Sequence, residues 1–288
     1  SMPHFEAMLL FAERANAVQP AFHLDENNAP LVAEICRRLD GLPLTIELAA
    51  AHIGVLTPQI LLTKLKNRLN LLKGGPRDLP ERQQALRSEI DWSYDLLDAE
   101  QRQTFMQLSV FSGGCTLDAA EAVCRLPGKE PDVFPALSSL VDKNLIVLTA
   151  EGGESRYGML ETIREYARVR LGECGDPDLP EQRFAAYYLG FAEKAEPNLY
   201  GREQIWWFNR IEEEYGNIRA SLAWVNNHHR VEDGLRLASA MGWFWFRRAR
   251  FSEGLHWLEM FYKAADASSA PRPQAIAGFS TACLNLCL

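Results

Sequence analysis

Apolar positions recur mostly every three or four residues along the chain, the period of helices with one buried face. Residues 6–14 carry Met8, Leu9 and Ala12 and predict a short amphipathic helix. A loop with Pro20 follows. Asn28 is then placed to cap a helix over 29–39, with a stripe of Leu31, Val32, Ile35, Cys36 and Leu39. Gly41 suits the left-handed conformation that closes a helix. Pro43 suits the first turn of the next, where no amide hydrogen is needed. That helix, 44–55, is rich in alanine and can approach its neighbours closely. Thr57-Pro58 opens another through Leu69, and Lys73-Gly-Gly-Pro76 ends the group.

A second group has helical pattern at 86–97, 100–111, 117–124 and 134–141, with Gly113-Gly114 as a break. The period then changes. Leu145–Thr149 is β-rich, residues 151–154 form a turn, and Arg156–Met159 is a second strand, which together read as a hairpin. A helix over 161–171 closes the group. Helices, a hairpin and a closing helix make a winged-helix order. The third group, from about Pro180, is helical throughout. Val231-Glu-Asp-Gly-Leu235 and Phe251-Ser-Glu-Gly-Leu255 echo each other and each open a helix of about 15 residues, as in stacked helix pairs of tetratricopeptide type. The fold class is therefore mainly α: a helical arm at 1–80, a winged-helix domain with a small hairpin at 81–175, and a helical repeat region at 176–288.

Composition narrows the function. Apolar residues make up 47% and charged residues 24% of the 288, as in a packed globular chain. The net charge is −8, and no third of the chain is basic. Such a chain has no general attraction for phosphate backbones. The longest apolar stretch, 42–56, contains Glu47 and His52 and is too short for a membrane span. The six cysteines form no C-x-x-C and no zinc-finger spacing, and they read as reduced core residues of a cytoplasmic protein. No signal-peptide pattern is present. Ser1 ahead of Met2 resembles a tag remnant, and the apolar, uncapped run at 281–288 predicts a piece of a longer protein.

Several ordered segments resemble one family. Cys36-Arg-Arg-Leu-Asp-Gly-Leu-Pro-Leu44 is similar to the Gly-x-Pro segment of the STAND-class (NB-ARC or AP-ATPase-like) signalling NTPases. Leu86–Leu97, Leu108–Gly114, Ser139–Leu145 and Arg156–Ala167 resemble that family's winged-helix domain, in bacterial members of the AfsR- and LuxR-type regulators. The resemblance implies a P-loop domain upstream, ATP or ADP with magnesium in the full-length protein, and a sensor array downstream. It places Gly41, Leu42, Pro43 and Leu44 on the adenine side of the nucleotide pocket. It aligns Met159, Leu160 and Glu161 with a Met-His-Asp-type switch motif whose histidine meets the ADP β-phosphate. Leu160 departs from that pattern, because it cannot donate to phosphate, and Glu161 reads equally as a charge favoured at a helix N-terminus.

The chain itself has no G-x-x-x-x-G-K-[ST], so neither a bound cofactor nor nucleotide turnover is expected of it. It has no G-x-S-x-G or H-E-x-x-H, so no catalytic residue is assigned. No metal site is expected, since adjacent His228 and His229 point different ways on a helix. The recognition-helix candidate, 131–142, holds two aspartates and no Lys or Arg, which argues against direct DNA binding. Trp206-Trp207 and Trp243–Phe246, beside Arg247, Arg248 and Arg250, read as core aromatics before a nucleic-acid platform. The expected partners are an upstream nucleotide-binding domain, a protein or small-ligand inducer on the helical repeats, and further copies through an uncapped end. A DNA-binding winged-helix regulator and a repeat-type adaptor for peptides are the alternatives.

Overall fold

The computed structural model describes residues 4–39, 43–71, 87, 90–125, 132–151, 154–174 and 178–265. The chain divides into two compact units, one made of 1–106 with 126–170 and the other of 107–125 with 171–288.

The first unit opens with α1 (His4–Val18), α2 (Ala29–Arg38), α3 (Pro43–Ala51) and α4 (Pro58–Leu71), with a 3-10 turn at His52–Gly54. α1 buries Ala7, Phe11 and Ala15 completely, a four-residue stripe, while Leu9 is 53% exposed. The buried face is therefore rotated from the expected Met8–Leu9–Ala12 face, and the helix is longer at both ends. Ile46, Ala49 and Ala50 of α3 join Phe11, Val32, Ile35 and Leu61 in one core. Small side chains let α3 lie close to α1. Asn28 stands at the N-cap of α2 but does not cap it with its side chain. Its amide instead donates to the His23 carbonyl, and Asp25 Oδ1 accepts the Asn27 and Asn28 amides, which fixes the loop. Thr57 Oγ1 accepts the Ile60 amide at 3.4 Å and starts α4 as expected.

A helical stretch at 90–95 leads to α5 (Ala99–Leu108), α6 (Leu117–Val123), α7 (Phe134–Asp142), the strands β1 (Val147–Glu151) and β2 (Glu154–Gly158), and α8 (Glu161–Cys174). This is a winged-helix domain with a two-stranded antiparallel sheet, Val147 opposite Gly158 and Glu151 opposite Glu154. Gly113 and Gly114 both take positive φ, 102° and 83°, and break the chain after α5. Thr116 Oγ1 accepts the Ala119 amide and caps α6. The hairpin starts two residues later than expected. Leu145 and Ile146 are buried, and their amides return to the Leu140 carbonyl, so they finish α7 before the strand begins.

The second unit adds α9 (Asp178–Ala195), a 3-10 turn (Glu196–Tyr200), α10 (Gln204–Asn227), α11 (Val231–Arg247) and α12 (Phe251–Ala265). The sequence echo has a packing reason. A Cβ at Gly234 of α11 would meet the Phe261 ring of α12 at 2.3 Å, and one at Gly254 of α12 would meet Trp245 of α11 at 2.9 Å. Each helix thus begins with a glycine that seats an aromatic from the end of the other, as two antiparallel helices require. α7, α10 and α11 end alike: Asn144, His229 and Ala249 hold φ near 55°, and the following amides return to Leu140, Val225 and Trp245. No helix among the described residues is long and apolar enough to cross a membrane.

Two substitutions test this packing in opposite directions. Gly234→Ala should destabilise the protein by about 1–3 kcal/mol, because the ring of Phe261 must move. Ala249→Gly should stabilise it by a few tenths to ~1 kcal/mol, because glycine holds positive φ without the Cβ clash. Urea unfolding checks both, and equal effects would contradict the packing described.

Candidate switch site and winged-helix surface

Two sequence-assigned segments belong to the first unit. Gly41 and Leu42 lie outside the described residues. Pro43 is the first residue of α3 and is exposed. Leu44 follows it in the helix. Met159 is half-buried and Leu160 is 43% exposed in the link between β2 and α8. Glu161 opens α8 and is paired with Arg164 at 2.6 Å. The Arg164 hydrogen bond holds the Glu161 carboxyl below its usual range. Glu161 is thus engaged within its own helix.

The structure adds residues that the sequence pattern did not single out, and they gather around α3. Glu47 is held at both its ends. Its carboxylate accepts from Arg14 of α1, Nε at 3.3 Å and Nη2 at 3.2 Å. Its backbone carbonyl accepts from Asn144 Nδ2, which ends α7, at 3.0 Å. Asn144 can reach it because it takes the left-handed conformation, which asparagine tolerates. An asparagine just past a helix end was the available signal; its partner, 97 residues away, was not. His52 follows α3 directly and is 3% exposed. Its ring lies 3.9 Å from that of Trp92, and Nε2 is 3.3 Å from Ser93 Oγ. These bonds tie the helix that carries Pro43 to α1, to α7 and to residues 92–93.

The two winged-helix motifs clasp each other. Tyr166 of α8 donates its hydroxyl to Asp91 Oδ1 at 2.5 Å, and Arg170 Nη2 donates to the same oxygen at 2.7 Å. Arg170 also lies over the rings of Tyr94 and Tyr166. Burial, then the Asp91 bond, push the Tyr166 hydroxyl above its ordinary range. Asp91, Tyr94, Tyr166 and Arg170 therefore join the helical stretch at 90–95 to α8. On α7 the outward positions are Phe134 (52% exposed), Pro135 and Asp142, and the helix carries no cation. Lys143, just beyond it, donates to Ser139 Oγ. This surface is apolar and acidic.

In the second unit Phe244, Trp245 and Trp207 are core residues as expected. Trp245 Nε1 donates to the Tyr215 hydroxyl at 2.8 Å, which donates to Glu253. Trp206 differs and is 54% exposed. His228 and His229 diverge: His228 Nδ1 lies 2.9 Å from the Trp224 carbonyl, and His229 turns at positive φ. Asp178, Glu181 and His228 bring one potential ligand atom each within 4.8 Å, at the start of α9 and the end of α10. Of the cysteines, Cys36, Cys115 and Cys124 are free and buried, and burial raises the Cys36 thiol to about 11, as befits an inert core residue.

Residues 97–172 match the winged helix-turn-helix domain family. The chain is 39% identical over 279 residues to proteins of Mycobacterium tuberculosis and Mycobacterium bovis that are provisionally named HTH-type transcriptional regulators. That match takes in 94% of this chain but only 31% of those proteins. An uncharacterised M. tuberculosis protein is 36% identical over 185 residues, 62% of this chain and 46% of its own length. The chain thus spans about a third of the length of the regulators it matches.

Asn144 contributes both a backbone conformation and a bond, and two variants separate them. Asn144→Gly should cost about 1 kcal/mol through the lost bond to Glu47. Asn144→Ala should cost about 1 kcal/mol more, since alanine resists positive φ. Thermal unfolding measures the order; an alanine variant as stable as the glycine variant would contradict it.

Proposed function

We propose that this chain is the switch and sensor portion of a nucleotide-controlled bacterial transcription regulator, acting in the cytoplasm. In this reading residues 1–80 are the arm that follows a P-loop domain, 81–175 the winged helix, and 176–288 the start of the sensing array. The observation that carries it is the Glu47 junction: the helix that begins with Pro43 is bonded through Glu47 to the residue that ends α7. A winged helix that closes on a nucleotide arm needs such a joint, whereas a free DNA reader does not. The acidic and apolar face of α7 supports contact with protein in place of a DNA groove.

Nucleotide enters this reading with the upstream domain. Gly41–Leu44 would line its adenine side, and Met159–Glu161 would stand at the phosphate side without the histidine that reads ADP. Leu160 offers no hydrogen bond there, so the winged helix would hold the closed state through packing and the Glu47 junction. Magnesium and the phosphates would be held outside this chain, which would itself turn over no ATP. An inducer that prefers the open arrangement would shift the equilibrium by no more than its difference in affinity for the two states.

A second reading, direct DNA binding by this winged helix, is favoured by the family match over 97–172 and by the names of the mycobacterial relatives. Fluorescence anisotropy with a labelled random-sequence duplex at low salt separates the two. Our reading predicts no saturable binding by this chain; salt-sensitive binding lost on Lys143→Ala would favour the alternative. In the longer protein, Pro43→Ala should lower the nucleotide retained through purification while leaving the melting temperature within a few degrees. Unchanged nucleotide content would remove the adenine contact from the account.

A further inference from the structure

The second unit has an exposed apolar surface that its own packing does not explain. Ile205 is 73% exposed, Tyr200 62% and Trp206 54%, all within seven residues of one another at the start of α10. Single exposed apolar side chains are ordinary, but a cluster with an indole in it marks a contact surface. Tyr200 is held in place, stacked on Trp243 of α11 at 5.2 Å. Beside this cluster Ile205 and Phe208 meet Arg247 and Arg248 around a recess of about 340 Å³. Ile205 belongs both to the exposed aromatic segment and to the recess that Arg247 and Arg248 line.

The charges there are specific. Arg248 and Arg250 share the single carboxylate of Glu212. Arg210 is paired with Glu213. Arg202 and Arg247 are exposed and have no ion-pair partner among the described residues. Exposed Glu203 offsets neighbouring Arg202, so within a chain of net charge −8 the cationic rim lies at Arg247 and Arg248, which line the recess. Two copies meeting here symmetrically would set Arg247 near its own image, an unfavourable pairing. A partner with carboxylates around an apolar stripe meets both features at once. Trp, Tyr and Arg are also the residue types that dominate binding energy at protein interfaces.

We propose that this surface docks an acidic amphipathic peptide segment of another protein, with its apolar side on Tyr200, Ile205 and Trp206 and a carboxylate at Arg247. The proposal names the kind of partner the array takes and stands independently of the nucleotide-switch reading, because all the residues belong to the second unit.

The test uses this chain and a fluorescein-labelled 18-residue helical peptide of Leu, Phe and Glu, with apolar residues at helical spacing. Its controls are the same peptide with every Glu replaced by Gln, and with every Glu replaced by Lys. Anisotropy should show saturable binding of the Glu peptide, weaker binding of the Gln peptide and none of the Lys peptide. Trp206→Ala and Arg247→Glu should each weaken the Glu peptide about tenfold or more, with melting temperatures unchanged because both side chains are exposed. Ile205→Ser provides a third variant of the same surface. Equal affinity for the Glu and Gln peptides, wild-type affinity in the variants, or no binding of the Glu peptide would each overturn the proposal. So would light scattering that shows a dimer abolished by Trp206→Ala, since the occupant would then be a second copy.

Discussion

The buried amide of Asn217, 1% exposed, determines which helices of this chain belong together. Its Oδ1 accepts the Ser112 amide at 2.7 Å, and its Nδ2 donates to the Gly114 carbonyl at 2.9 Å and to Glu214 at 2.8 Å. Glu214, equally buried, accepts from the Tyr188 hydroxyl at 2.7 Å. The adjacent Gly216 leaves no room for a side chain, since a Cβ there would lie 2.6 Å from the Ser112 carbonyl oxygen. One amide therefore joins the 112–114 loop, α9 and α10. Breaking it would leave buried donors and acceptors unpaired, at about 1–3 kcal/mol each.

That junction lies within the second compact unit, which takes in residues 107–125 and the helices after 171. α6 is an element of the winged helix by sequence order, yet residues 107–125 pack with the helices after 171. Phe111 lies edge-on to Phe184 and Tyr188 of α9, which extends the same core. α7, the hairpin and most of α8 pack instead with the arm, where Asn144 meets Glu47. The divisions fall inside α5 and α8, which are continuous helices. A ligand that changes the helices after 171 would thus act on part of the winged helix directly.

Helical period made most elements legible in the sequence, because it reports burial of one face. The starts at Val231 and Phe251 agree with the echoed segments, and the glycine in each echo proves to be the seat of an aromatic. Where several faces compete, the period misled: α1 buries Phe11 between Ala7 and Ala15, two small residues that weigh little beside Leu9 in a hydrophobic pattern. The hairpin was legible, but its start was not, since Leu145 and Ile146 are as β-prone as the strand they precede. The junctions were hidden for a different reason. Asn144, Asn217 and His52 bond to partners 97, 103 to 105 and 41 residues away. A polar residue inside an apolar pattern signals that a partner exists without naming it. Of the resemblance-assigned residues, Pro43 stands where the sequence placed it, at a helix start, and Glu161 is engaged by Arg164.

Hydrogen exchange on wild-type protein and Asn217→Ala tests the central claim, that the loop and α6 are held by the helices after 171. Faster exchange is expected in 112–123 and in the facing turns of α9 and α10, with α7 and the β1–β2 hairpin keeping their protection. Unchanged protection of α6, or equal loss in α7, would contradict it.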